Sequence, residues 1–179
     1  MKLDAIHAFG AKHEATDVLT PEQRRLVMSR IRGKNTRPEM LVRRGLYGRG
    51  FRYRLHAKDI PGKPDMVFPR YRAVIFVHGC FWHGHGCSLF KWPKTRAVFW
   101  KGKIDRNMER DRRAMAALNA DGWRVLIVWE CALKGRQRRD PPDVLSNAEA
   151  FIRVSGKFLA EIAESRVWTA GHTECATKP

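Results

Sequence analysis

The chain has 179 residues, a hydrophobic content of 44% and a formal net charge of +17. These values favour a single globular domain and exclude an intrinsically disordered chain. No apolar run is long enough to span a membrane, and the first residues contain no apolar block. We therefore expect no membrane contact, no secretory signal and a cytoplasmic, nucleoid-associated location.

The excess of 35 Lys and Arg over 18 Asp and Glu indicates a polyanionic partner. Nucleic acid fits this charge better than an anionic membrane, because no basic amphipathic helix stands out. A basic surface that serves only solubility is the alternative.

Residues 1–19 show no periodicity and are predicted to be a flexible arm. A helix is predicted to begin at the capping box of residues 20–23 and to stop at Gly33. A second helix is predicted to begin at residues 36–39, which repeat the capping signature. The many arginines of these helices fit either a solvated face or phosphate contacts, and the sequence leaves both open.

Three short strands are predicted next. Residues 51–55 alternate apolar and basic side chains, which is typical of a half-buried strand. A turn at 61–64 leads to a strand at 65–68, and a second turn leads to a buried strand at 71–78. The last two strands are expected to pair in antiparallel fashion, with Asp65 near one end.

Residues 79–86 contain three glycines and are predicted to form a loop shaped by a metal ion. A long helix is predicted over residues 103–120, ending at Gly122, with Asn107 and Asp111 sharing one face. The apolar face of this helix is expected to contain Ile104, Met108, Met115 and Leu118. A second apolar strand, residues 123–130, ends directly at Cys131.

A final helix is predicted over residues 144–164, followed by a loose tail. The inward side chains of this helix are expected to be Phe151, Phe158, Leu159 and Ile162. Strands on both sides of a long helix, with helices at both ends, predict an α/β fold with a mixed sheet. The predicted division is an arm at 1–19, a main domain at 20–135 and a C-terminal helix and tail at 136–179.

Cysteine and histidine spacing predicts a structural zinc site. Cys80, His85 and Cys87 follow the pattern C-x4-H-x-C, and zinc prefers four thiolate or imidazole ligands. Cys131, at the end of a buried strand, is the preferred fourth ligand, and Cys175 is a poorer one.

The spacing leaves alternatives open at this site. His83 is as well spaced as His85 to act as the imidazole ligand. A set of free or buried thiols is the alternative to a metal site, whereas disulfides are disfavoured because no secretory signal is evident.

A carboxylate at the start of a strand predicts a hydrolytic magnesium site. Asp65 is the candidate ligand, because Mg²⁺ takes oxygen ligands from one or two carboxylates. No second acid followed by lysine occurs in the next strand, so the backbone carbonyl of Val77 is the candidate companion ligand. His78 and His83 would contact phosphate and transfer protons, and Asp111 would orient a histidine.

Each of these residues also has a plain structural interpretation. Asp65 fits a turn residue, His78 a histidine at the end of a core strand, and Asp111 an acid on a helix surface. Phe81 and Trp82 fit either packing of the zinc loop or insertion between base steps of a duplex. The same two interpretations apply to Trp100 and to Met28.

Four segments resemble the very short patch repair endonucleases, and the resemblance spans residues 26–135. They read MSRIRGKNTRPE at 28–39, PGKPDMVF at 61–68, RAVIFVHGCFWHGHGC at 72–87 and ERDRRAMAALNADGWRVLIVWECAL at 109–133. Gly84 and Gly86 replace non-ligand residues of some members. The segment after Gly135 has no motif that matches.

The resemblance implies a restriction-endonuclease-like fold that lacks the usual pair of acid and lysine. It also implies a Mg²⁺-dependent nick on the 5′ side of the mismatched T in a T:G pair, which arises from deamination of 5-methylcytosine. Double-stranded DNA with that mismatch is the implied partner, with mismatch-repair proteins as further partners and a monomer as the expected state.

The resemblance also implies residue roles. It makes Asp65 and the Val77 carbonyl the Mg²⁺ ligands, and His83 the catalytic acid and base, supported by His78 and Asp111. The implied zinc ligands are Cys80, His85, Cys87 and Cys131. The implied DNA-contacting and active-site-flanking residues are Met28, Glu39, Phe81, Trp82 and Trp100.

Two further functions are compatible with the same sequence. One is a zinc-stapled DNA-binding module without catalysis, which would bind DNA indifferently to Mg²⁺. The other is a nuclease of related fold without mismatch preference, which would cut matched and mismatched duplexes at equal rates.

Overall fold

The structure is a computed structural model that describes residues 20–29, 33–154 and 156–165. The predicted arm at 1–19 and the tail at 166–179 lie outside the described residues. The helices are α1 (Pro21–Ser29), α2 (Arg37–Gly48), α3 (Ala97–Ala120), α4 (Glu130–Leu133) and α5 (Pro141–Arg153). The strands are β1 (Arg54–Leu55), β2 (Met66–Phe68), β3 (Ala73–His78), β4 (Arg124–Trp129) and β5 (Leu159–Ile162).

In the described part of the chain, the strands form one mixed sheet in the order β1-β2-β3-β4-β5. β1 and β2, like β2 and β3, pair in antiparallel fashion. β3, β4 and β5 are parallel, and α3 provides the crossover between β3 and β4. This mixed sheet flanked by helices confirms the predicted α/β class and is consistent with a restriction-endonuclease-like fold.

Side chains of the sheet alternate between two buried layers, as the period of two in a strand requires. Ile75, Leu126 and Val128 face a layer that includes residues of α2 and α5. Val74, Val125 and Ile127 face the opposite layer, in which Leu118 of α3 is also buried. With both faces covered, the strands β3 and β4 read as almost continuous apolar runs.

Both predicted capping signatures are confirmed. The backbone N–H of Thr20 donates to Gln23 Oε1 at 3.0 Å, and the N–H of Gln23 donates to Thr20 Oγ1 at 3.2 Å. Thr36 Oγ1 accepts from the N–H of Glu39, so α2 begins at the expected place. α1 is described to Ser29, and Gly33 lies in a bend.

Two predicted elements have different bounds. The strand predicted at 51–55 is limited to the two exposed residues of β1, because only Arg54 and Leu55 pair with β2. α3 begins at Ala97, six residues earlier than predicted. Met108 is 47% exposed, so its place on the inward face was wrong, although Ile104 and Leu118 are buried as expected.

The C-terminal helix was predicted too long. α5 ends at Arg153, and residues of the predicted helix instead form β5, which pairs with β4. Ile162 is buried in the sheet, whereas Leu159 is 40% exposed. The apolar side chains at 158–162 fitted a helical period, but pairing with an open strand edge outweighs that local pattern.

The division into domains stays a prediction. α5 and β5 nevertheless contribute Val144, Ile152 and Ile162 to the same core as β3 and β4. Among the described residues, no helix combines the length and apolarity needed to cross a membrane.

Candidate active site and metal-binding cluster

The candidate site lies where the parallel strands β3 and β4 end. His78 and Trp129 are register partners at these ends, and the glycine-rich loop that follows β3 runs over them. A cleft of about 450 Å³ is lined by residues that include His78, Trp82, His83 and Arg110. It adjoins a cavity of about 210 Å³ that His78, His83 and Arg110 also line, together with Asp65.

Asp65 lies just before β2 and is held against β3. The backbone N–H of Val77 donates to Asp65 Oδ2 at 2.7 Å. The pKa of Asp65 is raised to about 6, chiefly by burial and also by the charge of Glu39, whereas the hydrogen bond from Val77 opposes this shift. The site therefore contains a desolvated carboxylate whose ionised form would be stabilised by a cation.

His78, His83 and Asp111 form a second group in the same cleft. The two imidazole rings are stacked, with 3.7 Å between their centroids and 6° between their planes. His83 Nδ1 lies 2.5 Å from Asp111 Oδ2, so this nitrogen carries the proton and Nε2 is left for chemistry. The pKa of His78 is lowered to about 3, chiefly by burial and also by the neighbouring His83.

His78 Nδ1 is buried and finds no hydrogen-bond partner among the described residues. Such an orphaned polar atom is costly unless a ligand or water satisfies it. Together with the desolvated Asp65, this nitrogen makes the cleft suited to a polar or charged ligand.

Glu39 extends the site on the other side of Asp65. The ligand-type atoms of Glu39, His56 and Asp65 all lie within 4.8 Å of one another. Glu39 is only 2% exposed, and its Oε1 lies 3.2 Å from Arg43 and 3.6 Å from His56. Glu39 is therefore buried beside Asp65 in the candidate site, and its predicted role stays a prediction.

Cys80, His85, Cys87 and Cys131 form a separate cluster, with ligand-type atoms within 4.8 Å of one another. Cys131 Sγ lies 3.6 Å from His85 Nδ1, although 46 residues separate them in sequence. His85, not His83, joins the cysteines. Gly84, with a φ of 64°, turns the chain between these two histidines, so their side chains enter different groups.

The thiols of this cluster are packed as metal ligands would be. Burial raises the pKa of the Cys80 thiol, and the pKa of Cys131 rises for the same reason, with Cys87 nearby adding to both effects. A bound divalent cation would reverse that preference, since thiolates and not thiols are metal ligands. Three thiols and one imidazole at this spacing fit a tetrahedral zinc ion.

The predicted aromatic residues form one cluster beside the cleft. Phe81 contacts Trp82 and Trp100 edge-on, with centroid distances of 5.2 Å in each case. Phe81 and Trp82 are partly exposed, whereas Trp100 is only 8% exposed and supports them from α3. Met28 is partly buried in α1. The DNA contacts of these residues stay predictions.

Comparisons with known proteins place the chain in a family. A family model described as "DNA mismatch endonuclease Vsr" matches residues 16–89. A "Type II nicking enzyme V.XorIIP" from Xanthomonas oryzae is 58% identical over 118 residues, which cover 66% of this chain and 87% of the relative. The chain belongs to the Vsr family of DNA mismatch endonucleases.

Two further relatives support this assignment. The "DNA mismatch endonuclease Vsr" of Escherichia coli is 47% identical over 125 residues, covering 70% of this chain and 80% of the relative. A "Type II nicking enzyme V.NmeAIP" of Neisseria meningitidis is 46% identical over 121 residues, covering 68% and 86%. As a member of the Vsr family, the chain is a DNA endonuclease, and the predicted resemblance is confirmed.

Sequence reasoning assigned no site role to several side chains that the fold brings to the candidate site. His56 contacts Glu39, and Arg110 lines both cavities. Asn107 Nδ2 donates to the Trp82 carbonyl at 2.9 Å, and Trp129 packs against the histidines. The helical spacing of Asn107, Arg110 and Asp111 was the one available signal. Nothing local in the sequence points to the others.

Proposed function

We propose that this protein is a Mg²⁺-dependent endonuclease that nicks DNA on the 5′ side of the mismatched T in a T:G pair. The observation that carries the proposal is the shared cleft of Asp65 and the His78–His83–Asp111 group. The names of the relatives, mismatch endonuclease and nicking enzyme, support the same reaction. The substrate would be a T:G pair produced by deamination of 5-methylcytosine.

The residues of the cleft fit a magnesium ion. Asp65 Oδ2 accepts the Val77 N–H, which leaves Oδ1 open, and the Val77 carbonyl is the proposed second oxygen ligand. Burial disfavours the ionised form of Asp65 and raises its pKa to about 6, and a cation beside the carboxylate would stabilise that ionised form. When bound, Mg²⁺ polarises the phosphoryl group and favours deprotonation of the attacking water.

His83 is proposed to transfer the proton. Its Nδ1–H is held by Asp111, so Nε2 can accept a proton from water while the carboxylate stabilises the resulting imidazolium. Water adds to phosphorus, one phosphorus–oxygen ester bond breaks, and the leaving oxygen gains a proton. The stacked His78 restricts the orientation of the His83 ring.

His78 is proposed to act as a neutral group. Because its pKa is lowered to about 3, it can offer a hydrogen bond to phosphate but no charge at neutral pH. The positive charge that phosphate requires would come from Lys63 and Arg110, which line the smaller cavity. Arg110 thus takes over part of the role of the absent lysine.

The Cys80–His85–Cys87–Cys131 cluster is proposed to hold a structural zinc ion. Four protein ligands would leave no open coordination position, so this metal would not take part in the reaction. It would fix the loop that carries Phe81, Trp82 and His83.

Phe81 and Trp82, backed by Trp100, are proposed to insert beside the mismatch. A T:G step costs less to unstack than a matched step, so insertion of aromatic side chains favours the mismatch. Met28 of α1 is proposed to reach the duplex from the other groove. We further propose that the protein acts as a monomer and that mismatch-repair proteins are additional partners.

The test uses end-labelled duplexes, one matched and one with a T:G pair, incubated with the full chain and either Mg²⁺ or a chelator. Flanking sequences should include a panel of methyltransferase targets. A single nick immediately 5′ of the mismatched T, absent with chelator, is expected. Equal cutting of matched duplexes would support a nuclease without mismatch preference, and binding without cutting of any panel member would support a binding module.

A further inference from the structure

Trp129 connects the cysteine-rich cluster with the catalytic histidines. It is 8% exposed at the end of β4, directly before Glu130 and Cys131. Its indole stacks on the imidazole of His85, with 4.1 Å between centroids and 9° between planes. It also contacts His78 edge-on, with 5.5 Å between ring centroids, and the centroid of the His83 ring lies 6.5 Å from that of the indole.

A residue of β5 fixes the orientation of this indole. Trp129 Nε1–H donates to Glu161 Oε2 at 2.8 Å, and Glu161 lies on β5. Rotation of the ring about its side-chain torsions would break this charge-assisted bond and both aromatic contacts. The indole therefore has one preferred position between the two groups.

Glu164, two residues after β5, contacts the cysteine-rich cluster and its loop. The backbone N–H of Glu164 donates to Cys131 Sγ at 3.4 Å. The carboxylate of Glu164 accepts from the backbone N–H of Ser88 at 3.0 Å and from Ser88 Oγ. Residues after β5 thus fasten both the loop that carries His85 and the thiol of Cys131.

We infer that Trp129, oriented by Glu161, is a positioning residue that transmits the geometry of the cysteine-rich cluster to His78 and His83. The inference rests on the proposed hydrolytic role of these histidines. Close-packed rings cannot shift independently, so a displaced His85 or indole displaces the His78–His83 stack. Misplacement of a catalytic group by about 1 Å can cost up to about 100-fold in rate.

The alternative is that Trp129 only fills the core. In that case its replacement would lower the melting temperature without a selective effect on the chemical step. The two roles are distinguished by single-turnover nicking with enzyme in excess over DNA, which separates the rate of chemistry from the dissociation constant.

The decisive variants lie at Glu161, which is on the edge strand and exposed. Glu161→Ala removes the acceptor for Trp129 Nε1–H, whereas Glu161→Gln keeps an acceptor oxygen. We expect Glu161→Ala to lower the single-turnover rate about tenfold, with the dissociation constant changed less than about twofold. Glu161→Gln should restore most of the rate.

Trp129→Phe keeps an aromatic face toward His85 and loses the N–H. It should reproduce the loss seen with Glu161→Ala, while Trp92→Phe, at a tryptophan 53% exposed, should not. Metal content is measured for every variant. An unchanged rate in Glu161→Ala, an equal loss in Glu161→Gln, or a loss that follows the loss of bound metal would overturn the inference.

A second readout is independent of nicking. The ring-proton NMR resonances of His78 and His83, assigned by His→Gln variants, are recorded in the wild-type chain and in Glu161→Ala and Glu161→Gln. We expect both resonances to shift in the alanine variant and to return in the glutamine variant. Absent shifts would overturn the coupling, whereas a wild-type chain that cuts no duplex but shows the shifts would count against the proposed function alone.

Discussion

The imidazole rings of His78 and His83 lie parallel, 3.7 Å apart between centroids, although one ends β3 and the other lies in the following loop. Only His83 is paired with a carboxylate, Asp111, while His78 has a pKa of about 3 because of burial. In the proposed reaction the two adjacent histidines therefore have different roles, because His83 would transfer a proton and His78 would stay neutral.

This difference gives a prediction for His83. His83→Gln should reduce the nicking rate by about 100-fold or more, because a general acid and base contributes about 100- to 10,000-fold. Asp111→Asn should reduce the rate less, since it keeps a hydrogen-bond partner but loses the charge that stabilises imidazolium. The rates are compared in single-turnover assays, and full activity of His83→Gln would contradict the assignment.

His78 should also influence stability at acid pH. Its folded pKa lies below the ordinary value of 6.5, so the unfolded state binds a proton that the folded state does not. Stability from this group is present above about pH 6.5 and is lost as pH falls toward 3. His78→Gln should therefore weaken the acid dependence of the melting temperature, and an identical acid dependence in variant and wild type would contradict the buried, neutral state.

Asp65 should show opposite effects on stability and activity. Asp65→Asn should abolish Mg²⁺-dependent nicking, yet stabilise the metal-free protein at pH 7 by about 1–3 kcal/mol, since it removes a desolvated charge. The gain should fade as pH drops from 6 to 4, where Asp65 becomes protonated. Urea unfolding at several pH values measures this gain.

The control for Asp65 is Asp121→Asn, at an exposed position at the end of α3, which should change stability by less than about 0.5 kcal/mol. A stability of Asp65→Asn below that of the wild type at pH 7 would indicate that the carboxylate is paired and not desolvated.

The cysteine-rich cluster should bind one zinc ion per chain. Because burial raises the pKa of the Cys80 and Cys131 thiols, loading the apo-protein near pH 7 should release protons, which an indicator dye in weak buffer detects. Cys131→Ser should lose the metal and several kcal/mol of stability. Cys175→Ser, outside the described residues, is the matched control, and metal loss there would contradict the proposed ligand set.

Arg110 should contact phosphate. Arg110→Ala should weaken DNA binding about 5- to 10-fold. It should also reduce the slope of log affinity against log salt concentration by about 1, which corresponds to the loss of one phosphate contact. Arg112→Ala on the same helix is the control, because Arg112 points to Glu109 with 2.8 Å between Nε and Oε2. Fluorescence anisotropy at several salt concentrations measures both variants, and equal effects would mean that α3 contributes only general charge.

Trp82 should contribute to mismatch choice more than to general affinity. Trp82→Ala should weaken binding of a T:G duplex by about 1–2 kcal/mol, with a smaller loss for the matched duplex. The reason is that insertion of the indole costs less at a T:G step, which is easier to unstack than a matched step. Trp92→Ala, at a tryptophan 53% exposed, should leave the preference unchanged. Equal losses on both duplexes would assign Trp82 to loop packing.

Local patterns predicted much of the secondary structure. The capping box at Thr20 and the cap at Thr36 depend on residues within three positions, so the sequence contains the whole signal. The antiparallel pair of β2 and β3 follows from a tight turn between two apolar runs. β5 could not be foreseen, because its strand state depends on the open edge of β4 and not on its own residues.

The sequence by itself determined the chemistry that is present: a carboxylate before a buried strand, histidines and cysteines in a glycine-rich loop, and a cysteine after a second strand. Tertiary structure alone decided which of these groups meet. The fold brings His85 beside the cysteines and His83 beside Asp111. It places Trp129 between the cysteine-rich cluster and the catalytic-candidate histidines. The reason is physical, since residue types are fixed by the local sequence while these contacts join segments about 30 to 50 positions apart, which only the packed sheet brings together.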